Sequence, residues 1–462
     1  MTRTRGVAVN RRALAAVGAG VLALGTAATL AAPAAAETDW ASVDEGLWYY
    51  TRTGIAEAHQ QTTGEGMTIA VLDGVINPDA PDLVGAGVQV SGTCLDDAGT
   101  PLAATSTGMD AEHGTAVTAL IVGTGVGADG QLGVRGVAPG ATVLYYSILA
   151  PGSDHTEGGN PGCGLPSGAA AGYELTAAID DAVAAGADII TTSVVSTYWS
   201  DENVAAVLRA YAAGVVVLAG IPNEMAPGAS VGDPAALNGV VNVARHDIDG
   251  ALPDPFPPNS EHLTVIAPGT AVRVPVNVDG TWLYGLNGGT SLATPWTAGV
   301  LALAWSLHPD ATANQMIQAL VHTTATAPEG GEPTHDDVHG YGPVSVPRLL
   351  AVDPTTFPDE NPLWRALDDD EARPTTAAIL EATGKAVPQE TTGAATESTS
   401  PPADDDQADD DADSGAAALP LPAILGGAAL LLVVAITTAV LLRRRATPAA
   451  GGTATSPNGE EA

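Results

Sequence analysis

Along the middle of the chain, short apolar runs alternate with segments whose apolar positions recur at helical spacing. Residues 67–72 (MTIAVL) are apolar and partly β-branched and stop at Asp73-Gly74, which predicts a buried strand ending on a carboxylate. Residues 112–123 (EHGTAVTALIVG) place Val117, Leu120 and Ile121 on one face, a helix with His113 in its first turn. A turn and strand follow over 136–149, a helix over 170–185, a strand in ADIITTSVV and a helix over 203–213. Further strands are expected over 214–220, 239–245 and 263–268. The apolar run from Trp296 to Leu307 is spaced as a helix face, with Ser291 at its loop-to-helix junction and Pro295 in the first turn, where proline is tolerated. A last helix over 314–322 precedes GYGPVSVPRLL, where the domain closes. Strands alternating with helices predict an α/β fold with a mainly parallel sheet covered on both faces. In such folds sites form at the carboxyl ends of strands.

The two ends of the chain change the picture from several domains to one. Residues 1–36 carry Arg3, Arg5, Arg11 and Arg12, an apolar run and Ala34-Ala35-Ala36, the layout of a secretory signal peptide cut after Ala36. Residues 37–66 form an N-terminal extension too short to fold alone, and Trp48, Tyr49 and Tyr50 predict that it packs on the domain at 67–355. The segment 356–415 is rich in Asp, Glu, Thr, Pro and Ala, with seven aspartates between Asp404 and Asp413, and reads as a disordered linker. Residues 416–442 hold no charge, and 423–442 alone would span roughly 30 Å as a helix, about one hydrocarbon core. Arg443, Arg444 and Arg445 follow, so the expected orientation is a transmembrane helix with residues 443–462 cytoplasmic and the large domain outside.

Charge and cysteine content narrow the chemistry. The net charge is −37, and residues 37–358 contain 35 acidic side chains, six arginines and no lysine, which excludes nucleic acid as a partner. Cys94 and Cys163 are the only cysteines, both in the exported part, and a disulfide is the natural expectation; two free thiols or a pair of metal ligands are the alternatives. His335 and His339 in HDDVH have a metal-like spacing but sit in a Gly/Pro-rich loop with no third ligand, so no metal is expected, and no cofactor either.

An isolated GTS reads first as a helix cap. The odds change because Asp73, His113 and Ser291 occur in the order acid, base, nucleophile known from subtilisin. The words IAVLD, EHGTAV, GVAPGATV and GGTSLATP resemble the recurrent motifs of the subtilases, the subtilisin-like serine proteases, over about residues 66–350. That resemblance implies a three-layer α/β/α fold and a polypeptide substrate. Ser291 would be the nucleophile, His113 its general base and Asp73 the acid that orients the imidazole. The oxyanion would be held by the Ser291 backbone N–H and an asparagine. Where the family reads AAGN this chain reads LAGIPNE, so Asn223 is the nearest candidate, displaced by two positions.

Three other words depart from the family pattern. Gly74-Val75 follows Asp73 in place of Thr-Gly, Glu112 precedes His113 where Gly is common, and TTSVVS replaces an Asn-x-Ser start. The layout of ends and domain is similar to the mycosins, membrane-anchored subtilases of actinobacterial type VII secretion systems. This implies association with a secretion membrane complex. Mycosins usually carry two disulfides, whereas only Cys94–Cys163 can form here. The alternative to a working protease is a low-activity or inactive relative that serves as a structural component of such a complex. An esterase reading lacks the GxSxG elbow.

Overall fold

A computed structural model of the chain describes residues 44–153, 162–165, 167, 169, 172–194, 199–224, 231–253 and 261–387. The expected signal peptide, transmembrane helix and cytoplasmic tail lie outside the described residues, and no helix within them is long and apolar enough to cross a membrane. The strands are β1 Thr68–Asp73, β2 Val88–Gly92, β3 Thr124–Val126, β4 Leu132–Arg135, β5 Thr142–Ser147, β6 Ile189–Thr192, β7 Val216–Gly220, β8 Val241–His246, β9 Val265–Pro268, β10 Val272–Val278 and β11 Thr281–Asn287. The helices are α1 Trp48–Thr51, α2 Ile55–Ala58, α3 Glu112–Val122, α4 Tyr173–Ala184, α5 Asp201–Ala212, α6 Thr290–Leu307, α7 Ala313–His322, α8 Val346–Leu349 and α9 Thr376–Ala382.

Seven strands form one sheet in the order β2-β5-β1-β6-β7-β8-β9, and every pairing in it is parallel. Because successive side chains of a strand point to opposite faces, Ile69 and Val71 of β1 join the core under α3 and α6, while Ala70 and Leu72 join the core under α4 and α5. That two-sided burial explains the continuous apolar runs of these strands. The expected parallel α/β sandwich is the fold observed. The chain leaves β1 toward β5 and β2, then returns to add β6 on the other side, so the strand order reverses beside β1. The crevice at such a switch point is where open α/β sheets form their sites.

The N-terminal extension packs as its aromatic residues predict. Trp48, Tyr49 and Tyr50 are buried. The Tyr49 hydroxyl donates to the Arg135 carbonyl at 2.9 Å and accepts from the Arg135 N–H at 3.1 Å. Trp48 Nε1 donates to the Thr270 carbonyl, and Trp296 Nε1 donates to the Tyr49 carbonyl, both at 3.1 Å. Tyr49 and Trp296 are completely buried, each burial contributing on the order of 2 kcal/mol or more.

Three expectations differ from the structure. The linker expected from residue 356 is replaced by packed chain through α9: Asn361 Nδ2 donates to the Gly239 carbonyl at 3.0 Å, Asn238 Nδ2 to the Pro374 carbonyl at 3.1 Å, and the Asn238 N–H to the Arg373 carbonyl at 2.7 Å. Ile379 is fully buried on this strap. Its composition resembles a stalk because buried amides, more than apolar side chains, fasten it. Second, the hairpin β10–β11 was missed, although VNVDGTWL carries its signal: Asp279-Gly280 turn with φ of 50° and 84°, the positive values that a tight two-residue hairpin turn requires. Third, α6 begins at Thr290, so Pro295 lies in its second turn, inside the helix.

Candidate active site

Asp73 is the last residue of β1 and has no exposure. Its Oδ1 accepts from the Gly74 N–H at 2.7 Å and from His113 Nδ1 at 2.8 Å. His113 is carried in the first turn of α3, with 27% of its side chain exposed. Burial pulls its pKa down, but the Asp73 charge, the hydrogen bond to Asp73 and the charge of Glu112 outweigh burial and leave it raised. A proton held on Nδ1 by Asp73 makes Nε2 the basic nitrogen.

The approach of α3 to β1 depends on the glycine after His113. A Cβ at Gly114 would run into the Tyr145 hydroxyl and lie 2.7 Å from the Val75 carbonyl. That hydroxyl donates to the Gly74 carbonyl at 2.7 Å, and burial followed by the nearby Asp73 charge raises its pKa, so it stays a neutral donor.

Ser291 is the second residue of α6, whose first turn lies between the carboxyl ends of β6, the neighbour of β1, and β7, the strand beyond it. Thr290 is fastened to the β7 side: its Oγ1 donates to the Ile221 carbonyl at 2.7 Å and its N–H to Asn223 Oδ1 at 2.9 Å. Ser291 is fastened to the β6 side, its carbonyl accepting from the Ser193 hydroxyl at 2.9 Å. Gly220 permits this nesting, since a Cβ there would lie 3.1 Å from Thr294 Oγ1 and 3.4 Å from Thr290 Oγ1.

With its oxygen turned to the Thr290 N–H, the Asn223 amide presents its NH2 end elsewhere. A Cβ on Gly289 would lie 2.8 Å from Ser291 Oγ and 3.7 Å from Asn223 Nδ2, so the two groups border one small space that glycine keeps empty. The backbone at Gly289 is extended, so the requirement is for room and not for conformation. A reacting carbonyl entering there would meet a hydroxyl and an amide donor together.

The structure thus gathers Asp73, His113, Ser291 and Asn223 at the carboxyl edge of three adjacent strands, with His113 and Ser291 in the first turns of two helices that pack on each other. Glu112 Oε2 accepts from the Asn277 N–H at 3.3 Å, tying the β10–β11 hairpin to the helix that carries His113. Cys94 and Cys163 form a disulfide. His335 and His339 serve local structure: His335 Nε2 pairs with the Leu263 carbonyl at 2.7 Å and His339 Nδ1 with Asp336 at 3.2 Å. Sequence reasoning missed Ser193 and the double fastening of Thr290. The only sequence trace of the former is Pro295, four residues after Ser291.

Comparison with known proteins bears on the family and the fold. Residues 64–342 match the model of the subtilase family. Subtilisin E of Bacillus subtilis is 30% identical over 269 residues, covering 58% of this chain and 62% of subtilisin E, so the chain spans less than two thirds of that relative's length. Mycosin-1 of Mycobacterium tuberculosis is 28% identical over 386 residues, covering 73% of this chain and 82% of mycosin-1. Among solved structures, the MycP3 protease from the type VII (ESX-3) secretion system shares the fold with a TM-score of 0.51 at 23% identity, covering 69% of this chain and 90% of MycP3.

Proposed function

Because the chain belongs to the subtilase family of serine peptidases, we propose that it is a working serine endopeptidase whose triad is Ser291, His113 and Asp73. His113 Nε2 takes the proton of Ser291 Oγ as that oxygen attacks a peptide carbonyl, and Asp73 holds the imidazole through Nδ1 and stabilises its charged form. The negative charge on the carbonyl oxygen is met by the Ser291 backbone N–H, at a helix N-terminus, and by Asn223 Nδ2. His113 returns the proton to the leaving amine, and water then repeats the sequence on the acyl-enzyme.

The observation that carries this reading is the space at Gly289 bordered by both Ser291 Oγ and Asn223 Nδ2. It supports Asn223 as an oxyanion donor although the chain reaches it two residues later than the family pattern. A fluorophosphonate probe is expected to label the full-length chain at Ser291, Ser291→Ala to abolish labelling, and Asn223→Ala to slow it by about 10²–10³. A folded wild-type chain that takes no label at pH 7–9 would favour the inactive structural component.

We further propose that the peptidase domain is held outside the cell by residues 416–442 after removal of residues 1–36, in association with a type VII secretion membrane complex. The charge-free segment before Arg443 supports the anchor, and the likeness to mycosin-1 along most of both chains supports the association. Protease added to intact cells is expected to release the domain, and the untreated chain to co-purify with the complex from detergent. A domain protected inside the cell, or a chain that migrates alone, counts against the proposal.

A further inference from the structure

In an α-helix the carbonyl of residue i accepts from the N–H of residue i+4. For Ser291 that position is Pro295, which has no N–H and lies buried inside α6. The carbonyl of the proposed nucleophile therefore lacks its i+4 helical donor. The donor it does have comes from 98 residues earlier: the hydroxyl of Ser193, the first residue after β6, at 2.9 Å.

The neighbouring bonds show how local this arrangement is. The preceding carbonyl, of Thr290, is capped within the helix by Thr294 Oγ1 at 2.8 Å, while the Thr290 N–H and Oγ1 go to the extension of β7. The first turn of α6 is thus strung between the ends of two paired strands, Thr290 on β7 and Ser291 on β6. Residues Ile189 to Thr192 of β6 are all buried, so the strand that delivers Ser193 has little freedom to move.

We propose that Ser193 is a positioning residue for the nucleophile: with Pro295 removing the helical donor, its hydroxyl fixes the Ser291 backbone to β6 and thereby sets where Ser291 Oγ points. This rests on the reading of Ser291 as nucleophile. The bond is made to the backbone of the reacting residue and not to substrate, so it acts on the rate of attack and leaves ground-state binding alone. A misdirected nucleophile loses rate steeply, because productive attack tolerates only small displacements.

The test uses the full-length chain and a fluorophosphonate, reading the maximal inactivation rate and the half-saturating probe concentration separately. Ser193→Ala is expected to lower the maximal rate about tenfold, in line with the loss of one hydrogen bond, with half-saturation unchanged. Ser193→Thr, which keeps a hydroxyl, restores most of the rate. Pro295→Ala returns an N–H to the helix, so in that background Ser193→Ala costs much less, a non-additivity that a purely local packing defect does not produce. Melting temperature is read for every variant, and a Ser193→Ala chain that melts early is replaced by Ser193→Cys, a near-isostere with a weak donor and the same expected loss.

Labelling of Ser193→Ala at the wild-type rate, a change confined to half-saturation, or full additivity with Pro295→Ala overturns the proposal while leaving Ser291 as nucleophile. Failure of the wild-type chain to label removes the nucleophile itself, and this proposal with it.

Discussion

Glu112 places a second carboxylate beside the proposed base, one residue before His113 and within reach of the Asn277 N–H. Its charge is among the causes that raise the pKa of His113. The base works only when neutral, so a raised pKa moves the acid limb of the rate profile to higher pH. Glu112→Gln removes one raising contribution; the limb is expected to shift to lower pH, with faster labelling below it and an unchanged plateau above it. A limb that stays in place would show that the Glu112 charge does not set the titration. At this scale Asp73, His113 and Ser291 were legible as candidates because each stands in a recurrent motif, and the structure brings Asp73 and His113 into a hydrogen bond. Asn223 was legible only as a candidate, since the loop after β7 decides which amide turns inward. Ser193 was legible only indirectly, through Pro295, because its partner is a carbonyl and carbonyls carry no sequence label.

Elements were legible in proportion to how completely they are buried. Strands β1, β6, β7 and β9 are covered on both faces and announce themselves as apolar runs. Strand β2, at one edge of the sheet, alternates between half-buried and exposed positions, and β11 mixes exposed and half-buried positions, so neither shows such a run. The strap after residue 355 escaped for a different reason: what holds it are the buried amides of Asn238 and Asn361, the Arg373 and Pro374 carbonyls that Asn238 reaches, and Ile379. A chain ending at 355 is therefore expected to melt roughly 10 °C below one ending at 387, since several buried hydrogen bonds and an apolar anchor are lost together. Equal melting temperatures would restore the earlier boundary.

For the whole molecule, the alternation of strands and helices was enough to predict a parallel α/β sandwich. That alternation could not show how distant parts of the chain close on each other. The N-terminal extension does so over long intervals, with Trp48 reaching Thr270 and Trp296 reaching Tyr49 across 222 and 247 residues. Closing a flexible loop of that length costs about 5 kcal/mol beyond a constant, and folding slows as native contacts lie further apart in sequence. There is an order of events in this. The pocket of the extension draws on Arg135, Thr270 and Trp296 together, so it is complete only when these distant parts have met. The segment that precedes the domain in the chain is therefore expected to dock late, after the sheet has been assembled.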